Sequence, residues 1–221
     1  LNMKVLISPT SYEEAAPIMN CGVDIIDVKN INEGSLGAQF PWHTKKVVEL
    51  ANQHNVKVSA TLGDLPFKPG TASLAAYAAA TMGIQYIKAG LHGMKTYREA
   101  YEVMDAIQRA VRMVNKDAEV VAAGYADYRK FGGLNTNDLV DAAADSQCNV
   151  VMVDTATKDG STLFDVMSYE EIEEFVKRAK ECGMQVALAG SLKFEHADKL
   201  FALNPDIIGV RGAVCIGLTR K

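Results

Sequence analysis

Eight short apolar runs recur along this chain, and helical patterns separate them. They cover residues 4–8, 24–29, 57–62, 85–88, 119–123, 149–154, 185–189 and 206–210. Their length and branched residues suit strands covered on both faces of a parallel sheet. The intervening stretches carry helix signals. Three are capping boxes, at Ser11-Tyr-Glu-Glu14, Thr96-Tyr-Arg-Glu99 and Ser168-Tyr-Glu-Glu171, where a side-chain oxygen and a carboxylate satisfy the first-turn N–H groups. Further helices are expected over about 42–54, from a Thr71 cap to Gly83, over 135–146, and briefly after Phe194. Eight strands with seven helices predict a TIM (β/α)8 barrel, with an open doubly wound sheet as competitor. The residues at the strand ends favour the barrel. Ser8, Asp27, Lys29, Thr61, Asp64, Lys88, Asp154, Ser191 and Arg211 all fall at or just past a C-terminal end, and a barrel gathers those ends into one mouth. No helix follows the last strand before Arg220-Lys221, so we expect a missing eighth helix and a truncated or processed C-terminus. Residues 1–221 read as one domain, with Leu1-Asn2 ahead of Met3 a remnant of cloning.

A chain of 221 residues with 48% hydrophobic content can bury one large core. Its formal charge of -4 gives no electrostatic reason to expect nucleic acid or an anionic membrane as partner. No apolar run approaches a membrane span, and the start lacks the basic and apolar regions of a secretory signal. Cys21, Cys148, Cys182 and Cys215 lie far apart without metal-site spacing, so reduced thiols and a cytoplasmic location are expected, with no metal. The outer helix faces carry enough apolar residues for a homo-oligomer, which we expect.

Chemistry concentrates in Asp24-Ile-Ile-Asp-Val-Lys-Asn30. Asp27 and Lys29 lie two apart and so project to one face of a strand. A carboxylate and an amine leaving an apolar strand together are costly unless paired or employed. The pair reads either as a structural ion pair or as a lysine nucleophile beside an acid/base. Lys88 ends strand four and Lys158 stands four past Asp154, so three lysines converge on the mouth. A solvated rim lysine is the ordinary reading of any one of them. Neighbouring cations and partial burial would lower an amine's pKa and free its lone pair for imine formation. Asp27 and Asp154 suit proton shuttling or orienting the lysines.

Strands seven and eight end in Ala189-Gly190-Ser191 and Val210-Arg211-Gly212-Ala213. Small residues let backbone N–H groups approach a ligand, and these two loops are the usual phosphate cradle of a barrel. Gly190, Ser191, Arg211 and Gly212 are therefore candidate phosphate contacts. Ser8, Thr61, Asp64 and Tyr125 are candidate substrate contacts, with Asp127 beside Tyr125. His43, His54 and His196 fall on helical faces, and His92 reads as a surface residue.

Taken together, several blocks resemble a known family. Asp27-Val-Lys-Asn30, Glu33-Gly-Ser-Leu-Gly37, Phe40-Pro-Trp42, Val58-Ser-Ala-Thr61, Lys68-Pro-Gly-Thr71 and Tyr86-Ile-Lys88 carry the resemblance. So do Ala122-Ala-Gly-Tyr-Ala-Asp127, Val153-Asp-Thr-Ala156 with Lys158-Asp-Gly160, Ala187-Leu-Ala-Gly-Ser191 and Gly209-Val-Arg-Gly-Ala213. These look like the (5-formylfuran-3-yl)methyl phosphate synthases, and the match runs almost end to end. That family is similar in architecture to class I aldolases. It condenses two glyceraldehyde 3-phosphates, with loss of phosphate and water, to the furan of methanofuran; homologues serve a related C1 carrier in methylotrophic bacteria. The resemblance implies a Schiff base on Lys29, with Asp27, Lys88, Asp154 and Lys158 as acid/base and electrostatic partners, and no cofactor. The family's stretch beyond the last strand is absent here, at one edge of the phosphate site. From the residues themselves, two alternatives stay open: another Schiff-base aldolase of small sugar phosphates, and a non-catalytic barrel that binds phosphometabolites.

Overall fold

A computed structural model describes residues 3–211. Its strands are β1 (Lys4–Ser8), β2 (Ile25–Val28), β3 (Lys57–Asp64), β4 (Tyr86–Gly90), β5 (Glu119–Tyr125), β6 (Val150–Asp154), β7 (Gln185–Leu188) and β8 (Ile207–Arg211). Every neighbouring pair is parallel, and β8 closes on β1 through the register Lys4↔Ile207 to Ser8↔Arg211. The helices on the outside are α1 (Tyr12–Met19), α2 (Pro41–Gln53), α3 (Pro69–Ala80), α4 (Tyr97–Val114), α5 (Thr136–Asp145), α6 (Leu163–Val166), α7 (Tyr169–Glu181) and α8 (Ala197–Leu203). The fold is the expected TIM barrel.

All three capping boxes start helices. The oxygens of Ser11, Thr96 and Ser168 accept the N–H of Glu14, Glu99 and Glu171. Helix α3 starts earlier than its predicted Thr71 cap. Pro69 is its first residue, where a fixed φ is already helical and the missing N–H costs nothing. Strand β3 runs through Gly63 to Asp64, which read as loop, because a bulge between Thr61 and Asp64 restores pairing with Gly90. Helix α6 was not predicted; a single turn after Thr162 is too short to show a period. The position of the expected missing eighth helix, like Gly212, lies outside the described residues. Cys148 and Cys182 are free thiols, as expected, and Cys215 lies outside the described residues.

Strand alternation divides the apolar residues in two. One set packs between strands and helices, including Ile26, Val58, Ile87 and Val151. The other points into the barrel, with Leu6, Ile25, Tyr86, Val121, Met152 and Ala187 among its members. One pleat above this inner floor come Ser8, Asp27, Lys88 and Asp154, two residues past Leu6, Ile25, Tyr86 and Met152 on their strands. The interior is thus apolar below and charged at the top.

Candidate active site

A cavity of about 490 Å³ opens at the C-terminal mouth of the barrel. Ser8, Asp27, Lys29, Lys88, Asp154 and Lys158 line it, and Gly190, Ser191 and Arg211 complete its β7–β8 side. Lys193, two past Ser191, also lines it and was not singled out from the sequence. Among the described lining residues, five side chains are cationic and two are carboxylates, so the cavity favours an anion.

At its floor, Lys88 and Asp27 form an ion pair at 3.1 Å, with side chains only 2% and 1% exposed. Ser8 Oγ donates to the other carboxylate oxygen at 2.9 Å. Burial would raise the Asp27 pKa, but the charges of Lys88 and then Lys29 hold it below the ordinary carboxylate range. The spacing of Asp27 and Lys29 suggested that they pair with each other. The barrel pairs Asp27 with Lys88 instead, across the interior from β4. Lys29, half-buried at the end of β2, forms no ion pair among the described residues.

A second carboxylate stands at the end of β6. Asp154 Oδ1 accepts the N–H of Thr155 at 2.7 Å and faces Lys158 Nζ at 3.4 Å, while Lys158 donates to Thr155 Oγ1 at 3.2 Å. The loop carrying Lys158 is held from β5's end by Asp127, whose two oxygens accept the N–H groups of Ala156 and Thr157 at 2.8 and 2.9 Å. Asp127, read as a possible substrate contact, therefore braces that loop. On the β7 side the backbone is left-handed at both Gly190 (φ 120°) and Ser191 (φ 51°). A non-glycine residue held there is uncommon and requires support from its surroundings. A Cβ at Gly190 would press on Thr155 at 2.9 Å, so this loop and the Lys158 loop pack tightly.

The other side of the mouth is closed. After β2 the chain crosses the barrel top and drops Leu36, 0% exposed, into the inner apolar cluster. Its backbone is fastened on both flanks. Asp64 accepts the Leu36 N–H at 3.2 Å, Thr61 Oγ1 donates to Gly37 O at 2.6 Å, and Ser35 Oγ donates to Thr155 O at 2.8 Å. Tyr125 donates in turn to the remaining Asp64 oxygen. A Cβ at Gly90 would lie 2.6 Å from the Tyr125 hydroxyl and 2.8 Å from Asp64, which explains a residue without one there. Thr61, Asp64 and Tyr125, candidate substrate contacts by sequence, are thus bonded to the strap and to one another and do not line the cavity. The phenol, buried beside the Asp64 carboxylate, has its pKa pushed well above 10. The sequence signal for the strap was weak: Gly34-Ser-Leu-Gly37 reads as a turn, and only the apolar Leu36 inside it is unusual.

Among the described residues no group of three or more His, Cys, Asp or Glu side chains has a metal-holding arrangement, and no helix is long and apolar enough to cross a membrane. The 4-HFC-P synthase family model matches residues 5–221. A (5-formylfuran-3-yl)methyl phosphate synthase from Archaeoglobus fulgidus is 52% identical over 97% of this chain and 92% of its own length. One from Methanocaldococcus jannaschii is 50% identical over 99% and 93%. Among solved structures, KGPDC from Streptococcus mutans superposes with a TM-score of 0.67 over 98% of this chain and 91% of that one. At 12% identity that likeness shows the fold alone.

Proposed function

The chain belongs to the 4-HFC-P synthase family, and from that premise we propose that it condenses two molecules of glyceraldehyde 3-phosphate to (5-formylfuran-3-yl)methyl phosphate. The reading makes it a metal-free, cytoplasmic carbon–oxygen lyase, with its chemistry in this one barrel domain, in methanofuran-type C1-carrier biosynthesis. The observation that carries the mechanism is the unequal state of the mouth lysines. Lys88 and Lys158 are each engaged by a carboxylate, whereas among the described residues Lys29, like the exposed Lys193, faces the same cavity without one. A lysine already held by a carboxylate is less free to reach a carbonyl carbon, so Lys29, half-buried where Lys193 is exposed, is the amine best placed to act as nucleophile.

Its amine adds to the aldehyde carbon of one triose phosphate, and water leaves to form the imine. Loss of a proton from its second carbon gives an enamine, which expels phosphate from the third carbon. That third carbon, as an enol, then bonds to the second carbon of the other triose in its ketone form, whose oxygen takes up a proton. Ring closure through the terminal hydroxyl of the second triose, loss of two waters, and hydrolysis from Lys29, which takes back the water lost on imine formation, complete the furan. Asp27, fixed between Ser8 and Lys88, and Asp154, fixed by Lys158, flank this sequence as proton carriers. Backbone at Gly190 and Ser191, with the Arg211 guanidinium, suits one phosphate.

Borohydride trapping with glyceraldehyde 3-phosphate, followed by peptide mass mapping, tests the reading. A reduced adduct on Lys29, lost in Lys29→Arg with the fold intact, is expected. An adduct on Lys88 or Lys158 would move the nucleophile. Binding of the triose without any trapped adduct would favour a silent phosphometabolite-binding barrel.

A further inference from the structure

A reaction that joins two phosphorylated trioses needs two seats that meet at the reacting carbon. The main cavity offers one anion-binding side, at Gly190, Ser191 and Arg211. A second cavity, of about 320 Å³, lies between the turn after β1 and the first turns of α2. The residues it shares with the main cavity are Asp27 and Lys29. Lys29 therefore stands where the two spaces join.

The lining of this side cavity suits a small phosphorylated ligand. Lys46 brings a cation on a flexible arm from the exposed face of α2, and His43 adds a ring N–H one turn earlier. Thr10 and Ser11 contribute hydroxyls from the β1–α1 turn. Ser11 Oγ already accepts the Glu14 N–H as helix cap, which leaves its O–H to donate. Glu13 also lines the space and opposes an anion. Asp27 opposes it little, because Lys88 neutralises that carboxylate at 3.1 Å. Lys46 thus decides the sign of the pocket away from Lys29.

We propose that this side cavity is the seat of the second triose phosphate, with its phosphate on Lys46 and the Thr10 and Ser11 hydroxyls and its reacting carbonyl turned toward Lys29. The proposal rests on the condensation reading above and adds the place where the acceptor binds. It makes Lys46 a binding residue for the acceptor and gives it no part in forming the imine.

The test measures two quantities in the parent protein and in Lys46→Gln: borohydride trapping of glyceraldehyde 3-phosphate, and furan formation at limiting triose. Trapping is expected to stay within about twofold of the parent. Furan formation is expected to fall about 10- to 100-fold, the range for losing a hydrogen bond to a charged group, and to recover in Lys46→Arg. Lys46 is exposed on a helix, and an unchanged melting temperature verifies the fold of each variant. Furan formation unchanged in Lys46→Gln would overturn the seat while leaving the condensation intact. Equal loss of trapping and furan formation would also overturn it, because Lys46 would then serve the first triose. A parent protein that neither traps nor turns over the triose would overturn the condensation reading, and the seat with it.

Discussion

The two sides of the barrel mouth are built from the same kinds of residue and end in opposite states. On the β3–β5 side, Thr61 and Asp64 spend their polar groups on the strap that carries Leu36, and Tyr125 spends its hydroxyl on Asp64. On the other side, Asp27, Lys29, Lys88, Asp154 and Lys158 face a cavity. Polar residues at strand ends are therefore not enough to locate a barrel's chemistry. The connection that follows the strand decides whether they meet a ligand or the protein itself. Here one loop, after β2, closes one side of the mouth and leaves the cavity on the side where the lysines stand.

The largest expected effect is the sharpest test of that contrast. Lys29→Ala should lower condensation by at least about 10³-fold, as loss of a covalent nucleophile does. It should change unfolding free energy by no more than about 0.5 kcal/mol, because Lys29 holds no ion pair among the described residues. A large stability loss would make Lys29 structural and erase the contrast. Asp27→Asn should cost about 3–5 kcal/mol in denaturant unfolding, since it leaves the Lys88 ammonium buried without its counter-charge. Adding Lys88→Met should recover much of that stability and none of the turnover. The acid limb follows from the lowered Asp27 pKa. Its contribution is present above the ordinary carboxylate range and is lost as pH falls through the depressed native value. The parent should therefore lose more stability on acidification than the Asp27→Asn, Lys88→Met double variant.

On the closed side, Leu36→Ala should cost about 2–5 kcal/mol, the range for emptying a buried leucine site. Trapping at Lys29 should persist where the variant remains folded. Trapping lost at full helical content would mean that the strap shapes the lysine side directly.

Much of this molecule could be read in advance because the relevant patterns are local. Each strand is a short branched run, each capping box places its own helix start, and alternation along a strand brings Asp27, Lys88 and Asp154 inward together. The strap could not be read, because nothing within Gly34-Ser-Leu-Gly37 shows that Leu36 lies in the barrel top. Its anchors are remote: Ser35 bonds to Thr155, 120 residues away. The partner of Asp27 was illegible for the same reason. Spacing in sequence proposed Lys29, but only the closed barrel sets Lys88 across from it. Asp127 shows the converse error, since a carboxylate after a strand looked available until two backbone N–H groups were found on it.

Tyr125→Phe should give the smallest effect and bears on the contrast from the side expected to be inert. The phenol hydroxyl is bonded to Asp64, and Asp64 keeps the Leu36 N–H after the change. The loss near neutral pH should be about 1 kcal/mol, that of one ordinary hydrogen bond. Burial and the Asp64 charge raise the Tyr125 pKa well above 10, so its contribution is complete below the unfolded tyrosine value and is lost as pH climbs through the native one. The stability gap between parent and Tyr125→Phe should therefore narrow at alkaline pH, as denaturant melts at pH 8 and above 10 would register. Turnover should stay within about tenfold, because the hydroxyl serves the strap and does not line the cavity. A pH-independent gap would remove the Asp64 contact from the account. A turnover loss far beyond tenfold in a stable variant would place Tyr125 among the reacting groups, and the two sides of the mouth would then share the chemistry.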